Sequence, residues 1–107
     1  MGMGVGVHNS IGIIGSCPEC SVIPLQAGSS PYQDARAFGY AKQRGAKIIS
    51  CSWQYEDDEW PEGVESSIKD VASAGIVIFF AIDNSNDLAS RLLFTEICDF
   101  AIFLSLI

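Results

Sequence analysis

Apolar residues along the chain gather in short runs, and the segments between those runs follow a different period. "SVIPL" (21–25), "KIISCS" (47–52) and "IVIFFA" (76–81) are rich in Ile, Val and Phe and begin 26 and 29 residues apart. They do not alternate apolar with polar, so they predict strands of a parallel sheet covered on both faces. Between the first two runs, Ser30 suits an N-cap, Pro31 the first helical position and Gly45 the end, which predicts a helix over 31–44. Between the next two, Val64, Ile68, Val71, Ala72 and Gly75 fall on one stripe, which predicts a helix over 62–74. The repeat of about 30 residues is that of a βαβ unit, whose crossovers are right-handed. "FAIFLSLI" (100–107) predicts a further strand, inside which the sequence stops. An apolar strand left unpaired is an aggregation template, so the expectation is a chain cut from a longer domain. The expected class is α/β, with a doubly wound parallel sheet.

Composition narrows the partners. A chain of 107 residues with 49% hydrophobic content suits one domain with a single core. Thirteen acidic against six basic residues leave a formal charge of −7. That charge repels nucleic acid and anionic membrane, so neither is an expected partner. The apolar runs at 76–82 and 100–104 are far shorter than the roughly 20 residues of a membrane helix. "MGMGVGVHNS" has no basic region, apolar core or cleavage site, and does not read as a signal peptide.

Four cysteines stand at 17, 20, 51 and 98. "CPEC" lacks the second paired knuckle of a zinc ribbon. Nor does its second cysteine open a helix, as a thioredoxin-type site requires. The expectation is a turn before a strand, with or without a local disulfide.

Three blocks carry a family resemblance. "AFGYAKQRGAKIISCSW" (37–53) resembles the subtilase pattern A-I-x-Y-A-x-x-x-G-A-x-V-I-x-x-S-W/L. "ASAGIVIFFAIDNS" (72–85) is similar to A-x-x-x-G-V-V-V-V-A-A-A-G-N, and "NSIGIIGSCPECSVIPLQ" (9–26) to N-S/G-I-G-V-x-G-V-A-P-x-A-x-I-x-P-V-K. They occur in family order and spacing between residues 9 and 85. The resemblance is to the central part of a subtilisin-like serine endopeptidase domain, 1–107 being part of a three-layer, subtilisin-like sheet. It implies peptide-bond hydrolysis by an Asp, His and Ser in that chain order, peptide or protein substrates and an extracytoplasmic location.

The resemblance assigns Asn84 to the oxyanion hole, where its NH₂ would donate to the carbonyl oxygen as negative charge develops. Such a donor stabilises the transition state more than the ground state. Read locally, Asn84 is instead the Asx-type turn that often follows a strand. Asp83 stands where the family usually has Gly, so its carboxylate must turn to solvent if the oxyanion site is intact. Ser52, Trp53 and Gln54 match the S-W/L-G-G wall that pairs with substrate, although Gln54 replaces a glycine whose missing side chain admits close approach. The acidic run 56–59 suits a helix start, with a subsite for basic substrate residues as the other reading.

The only histidine, His8, precedes Gly12 by four residues and is followed by Asn9 and Ser10, so it does not fit the H-G-T-x-x-A-G base motif. No G-T-S-M-A nucleophile motif occurs within the 107 residues. The chain is therefore expected to hydrolyse nothing by itself. No cofactor is expected. A calcium loop is a weaker implication, with Asn9 and the carbonyls of Ile11 and Ile13 as the available oxygens.

Two other classes remain. One is a flavodoxin-like α/β binding module that uses "QAGSSP" to hold an anion at a helix N-terminus. No G-x-G-x-x-G or P-loop follows a strand to support it. The other is a degenerate subtilase-like interaction domain, which Asp83 and Gln54 permit.

Overall fold

The computed structural model describes residues 2–53, 55, 60–81 and 102–104. The chain is mixed α/β around a parallel sheet. In order it holds α1 (Gly2–Val5), α2 (Pro31–Gln43), β1 (Ile48–Cys51), α3 (Glu62–Ser73), β2 (Val77–Ala81) and β3 (Ile102–Leu104). The sheet order is β1-β2-β3.

Both longer helices begin and end as the sequence predicts. Ser30 is extended at α2's N-cap and its hydroxyl accepts from Gln33 N–H at 3.3 Å, with Pro31 opening the helix. At the other end Gly45 N–H donates to Lys42 O and Ala46 N–H to Ala41 O, both at 3.0 Å. This is a Schellman closure, and it needs the left-handed φ of 74° that Gly45 supplies. The same device ends α3. Gly75, at φ 80°, donates to Ala72 O at 2.9 Å, and Ile76 donates to Val71 O at 3.4 Å. Each closure turns the chain directly into a strand, so two short loops fix the helix-to-sheet geometry.

Strands β1 and β2 pair in parallel, Ile49 opposite Ile78 and Cys51 opposite Phe80. These four positions share one face with Phe38 of α2 and Val64, Ile68 and Val71 of α3, forming the hydrophobic core. The α3 stripe read from sequence is thus the buried one. Burial of these side chains is the main favourable term for this unit, each fully buried residue contributing about 1.5–3 kcal/mol. On α3's surface, Asp70 accepts from Lys42 of α2 at 2.7 and 2.8 Å, an exposed bridge of small energetic weight.

One expectation is corrected. "SVIPL" forms no strand: residues 21–27 are irregular, and Val22, Ile23 and Leu25 stay exposed. Pro24 has no N–H to give a ladder, and β1 stands at the edge of the sheet with no partner strand among the described residues on its outer side. The non-alternating strands also predict a sheet covered on both faces. The described residues cover only one. Ile48 is 63% and Val77 38% exposed, opposite one another on the far face.

The N-terminal stretch is held by backbone contacts. Gly15 N–H donates to Gly6 O and Cys17 N–H to Gly4 O, each at 2.8 Å. The two strands of chain approach so closely that a Cβ on Gly15 would lie 2.5 Å from Gly6 N. Cys17 and Cys20 are disulfide-bonded across a turn in which Cys20 N–H donates to Cys17 O, so of the two states left open for "CPEC" the turn takes the disulfide, although no strand follows it.

Candidate functional site

The strands run in the same direction and Cys51 lies opposite Phe80, so the chain leaves β1 and β2 at the same end of the sheet. In open α/β sheets that carboxyl end is where ligands collect. Ser52, exposed, follows β1 directly. Trp53, next along, turns back toward the core. Its ring centroid lies 6.4 Å from Phe38, 6.1 Å from Phe80, 5.6 Å from Tyr55 and 6.4 Å from Trp60. Trp60 in turn meets Phe80 edge-on at 5.1 Å and Tyr55 at 5.3 Å. Such tilted and T-shaped pairs add attraction beyond area burial. The Trp53 indole therefore serves as a floor under the start of the segment after β1, where Ser52 is exposed.

Beneath the floor lies a polar cluster. Asp34, on the first turn of α2, is 1% exposed. Its Oδ1 accepts from Gly28 N–H at 2.7 Å and its Oδ2 from the Tyr55 hydroxyl. A buried carboxylate needs such donors, because an unpaired one would cost several kcal/mol. Cys51 is a buried free thiol beside it. Burial, reinforced by the Asp34 charge, pushes its pKa up to about 12, so it stays a neutral thiol and a poor nucleophile. The Tyr55 phenol is likewise held protonated, by its desolvation first and then by its bond to Asp34. Asp34, Cys51, Trp53, Phe38, Leu25 and Ile49 are among the residues around a cavity of about 70 Å³ between α2 and the outer side of β1.

The sequence reading passed over Asp34 and Tyr55. The signal was available for Asp34: it falls with Phe38 and Ala41 at i, i+4 and i+7 on α2's buried stripe. A carboxylate at a core position of an amphipathic helix marks a buried polar site. Nothing in the sequence singled out Tyr55 as its partner 21 residues away.

Asn84, its neighbour Asp83, and Gln54 lie outside the described residues, as do Cys98 and the acidic run 56–59. Asn9 is exposed and its Oδ1 accepts from Ile11 N–H at 3.1 Å, with Ser10 at φ 63° and Gly12 at φ 72° closing a tight turn. Its carboxamide oxygen already serves that local bond, and His8 beside it is exposed. Among the described residues, no three His, Cys, Asp or Glu side chains are grouped to hold a metal ion. At α2's N-terminus the Ser30 hydroxyl caps the helix and the Gly28 N–H is taken by Asp34. An anion docking on "QAGSSP" would meet a Gly28 N–H already in use and the Asp34 carboxylate that holds it.

No protein-family model matches the chain, and no curated protein or solved structure matches it significantly.

Proposed function

We propose that the chain is the central part of a subtilisin-like serine endopeptidase domain, supplying the oxyanion donor Asn84 and one wall of the substrate cleft. The observation that carries the reading is the parallel pairing of β1 and β2, which brings the exits of the two motif-bearing strands side by side. Ser52 follows one exit, and Asn84 comes three residues after Ala81, the last residue of the other. A cleft needs both: a backbone wall on which an extended peptide lies, and a fixed donor where its attacked carbonyl becomes anionic. The three-layer, doubly wound sheet belongs to the same proposal, with the exposed face of Ile48 and Val77 as the face the third layer would cover.

In this reading the 107 residues bind and polarise but do not attack. The buried Cys51 is held as a thiol, and the sequence contains neither an H-G-T nor a G-T-S segment. The nucleophile, base and orienting acid must come from chain beyond these residues, in family order. The test is to read the gene on both sides of this stretch and assay its full product on fluorogenic peptides. D-T/S-G and H-G-T segments before it, G-T-S after it, and serine-dependent hydrolysis are expected. Hydrolysis by the purified 107-residue chain, lost in Asn84→Ala, would contradict the division of labour. A gene with none of those segments would favour the interaction-domain reading, which the Asp83 and Gln54 departures support.

A further inference from the structure

We propose that Asp34 and Tyr55 form a latch that positions the segment after β1, so that helix α2 determines where the cleft wall stands. What the wall does rests on the protease reading above; the latch itself stands on the described geometry.

Asp34 is an expensive choice for its position. The residues around it on the stripe are Phe38 and Ala41, and among the described residues no Lys, Arg or His forms an ion pair with it. A buried carboxylate paired only with neutral donors is less favourable than a well-packed apolar side chain of similar volume. What it provides is geometry. One oxygen holds the Gly28 N–H in the loop before α2, and the other holds the Tyr55 hydroxyl in the segment after β1. A single rigid side chain on a helix thus fastens two loops that the chain reaches 27 residues apart.

The second bond matters for the wall. Residues 52–54 lie between two anchors: Cys51, buried at the last position of β1, and Tyr55, tied to Asp34. Anchors so close in the chain leave Ser52 and Trp53 few backbone conformations. Trp53 within it is pinned against Phe38 and Phe80. The backbone donors and acceptors of an added strand must stand at a set spacing to recognise an extended peptide. Tyr55 remains a donor throughout the neutral range because burial and the neighbouring carboxylate both oppose its ionisation. Asp34 and Tyr55 are therefore positioning residues, acting on substrate through the backbone of 52–54.

The substitutions are sharp because of donor arithmetic. Tyr55→Phe keeps the ring and deletes only the hydroxyl. Asp34→Ala keeps the helix and removes both acceptor oxygens, whereas an Asn at 34 could still accept from Gly28 N–H and donate its NH₂ to the Tyr55 hydroxyl oxygen. The chain has two tryptophans, Trp53 and Trp60, both in the aromatic floor, so its near-ultraviolet dichroism and tryptophan emission report on the wall.

Tyr55→Phe and Asp34→Ala should each alter that tryptophan signature and raise amide exchange at 52–55 at least tenfold, while far-ultraviolet dichroism stays native. The double variant should be no worse than the more severe single one, since both break the same tie. In the full gene product the same changes should raise KM severalfold with a smaller effect on kcat. Unchanged tryptophan signature and unchanged exchange at 52–55 in folded Tyr55→Phe would overturn the latch, even if Asp34→Ala fails to fold. A changed signature in a product that hydrolyses no peptide would leave the latch standing and remove the protease reading instead.

Discussion

Residues 2–29 and residues 30–81 are comparably rich in apolar side chains, yet they use them in opposite ways. In the second region Phe38, Val64, Ile68, Val71, Ile78 and Phe80 meet in one core. In the first, Val7, Ile11, Ile13, Ile14, Val22 and Ile23 are exposed, and what holds the stretch is backbone bonding at Gly4, Gly6 and Gly15 with a local disulfide. The difference lies in periodicity and partners. Apolar residues at helical spacing on α2 and α3 face strands whose alternate residues point back at them, so burial is mutual. The N-terminal residues have neither period nor complementary surface among the described residues. Apolar content makes a core possible; pairing of faces makes one.

That contrast predicts where stability resides. Ile68→Ala, which opens a cavity in the core, should cost about 3–4 kcal/mol in urea unfolding, whereas Ile13→Ala should change it by less than about 0.5 kcal/mol. Comparable losses from both would erase the distinction between the regions.

A smaller effect should appear at high pH. The Cys51 thiol ionises at about 9.0 when unfolded and at about 12 in the fold. A raised pKa contributes stability that is fully present below the unfolded value and is lost as pH climbs through the window from about 9 to 12. Tyr55, also shifted upward, acts in the same direction at still higher pH. Urea midpoints between pH 8 and 10.5 should fall by the equivalent of about 2 kcal/mol, and Cys51→Ala should flatten the slope. A midpoint independent of pH in the unsubstituted chain would mean the thiol is not buried as described.

Ser30 stands on the boundary between the regions. Ser30→Ala removes α2's side-chain cap and should cost about 1 kcal/mol by the same measurement. The smallest effect is the most diagnostic of independence. Reducing the Cys17–Cys20 disulfide should leave the core's unfolding midpoint in place. If the N-terminal stretch unfolded together with the core, the chain-entropy cost of opening that short loop would shift the midpoint by about 2 kcal/mol.

Much of residues 30–81 was legible in the sequence because local signals agreed with tertiary ones. Ser30, Pro31, Gly45 and Gly75 marked helix ends that the backbone then uses, and the Val64–Ile68–Val71 stripe is the buried one. "SVIPL" misled because an apolar run is a strand only when a neighbour supplies its hydrogen bonds, and Pro24 forfeits one of them. Among the described residues the second face of the sheet has no cover, and apolar residues on both sides of a strand state a need that these residues do not fill. Of the candidate site, Ser52 and Trp53 follow β1 as read, but the inward turn of the Trp53 indole depends on Phe38, Phe80 and Trp60, which are distant in sequence. The Asp34–Tyr55 tie is similarly nonlocal.

As proposed, Asn84 donates to an oxyanion beside the backbone wall after β1. The most direct test is the kcat and KM of Asn84→Ala in the full gene product, on a peptide cleaved by the unsubstituted protein. A donor used only in the transition state predicts a fall in kcat of about 10²–10³ with KM nearly unchanged. An unchanged kcat would contradict the claim.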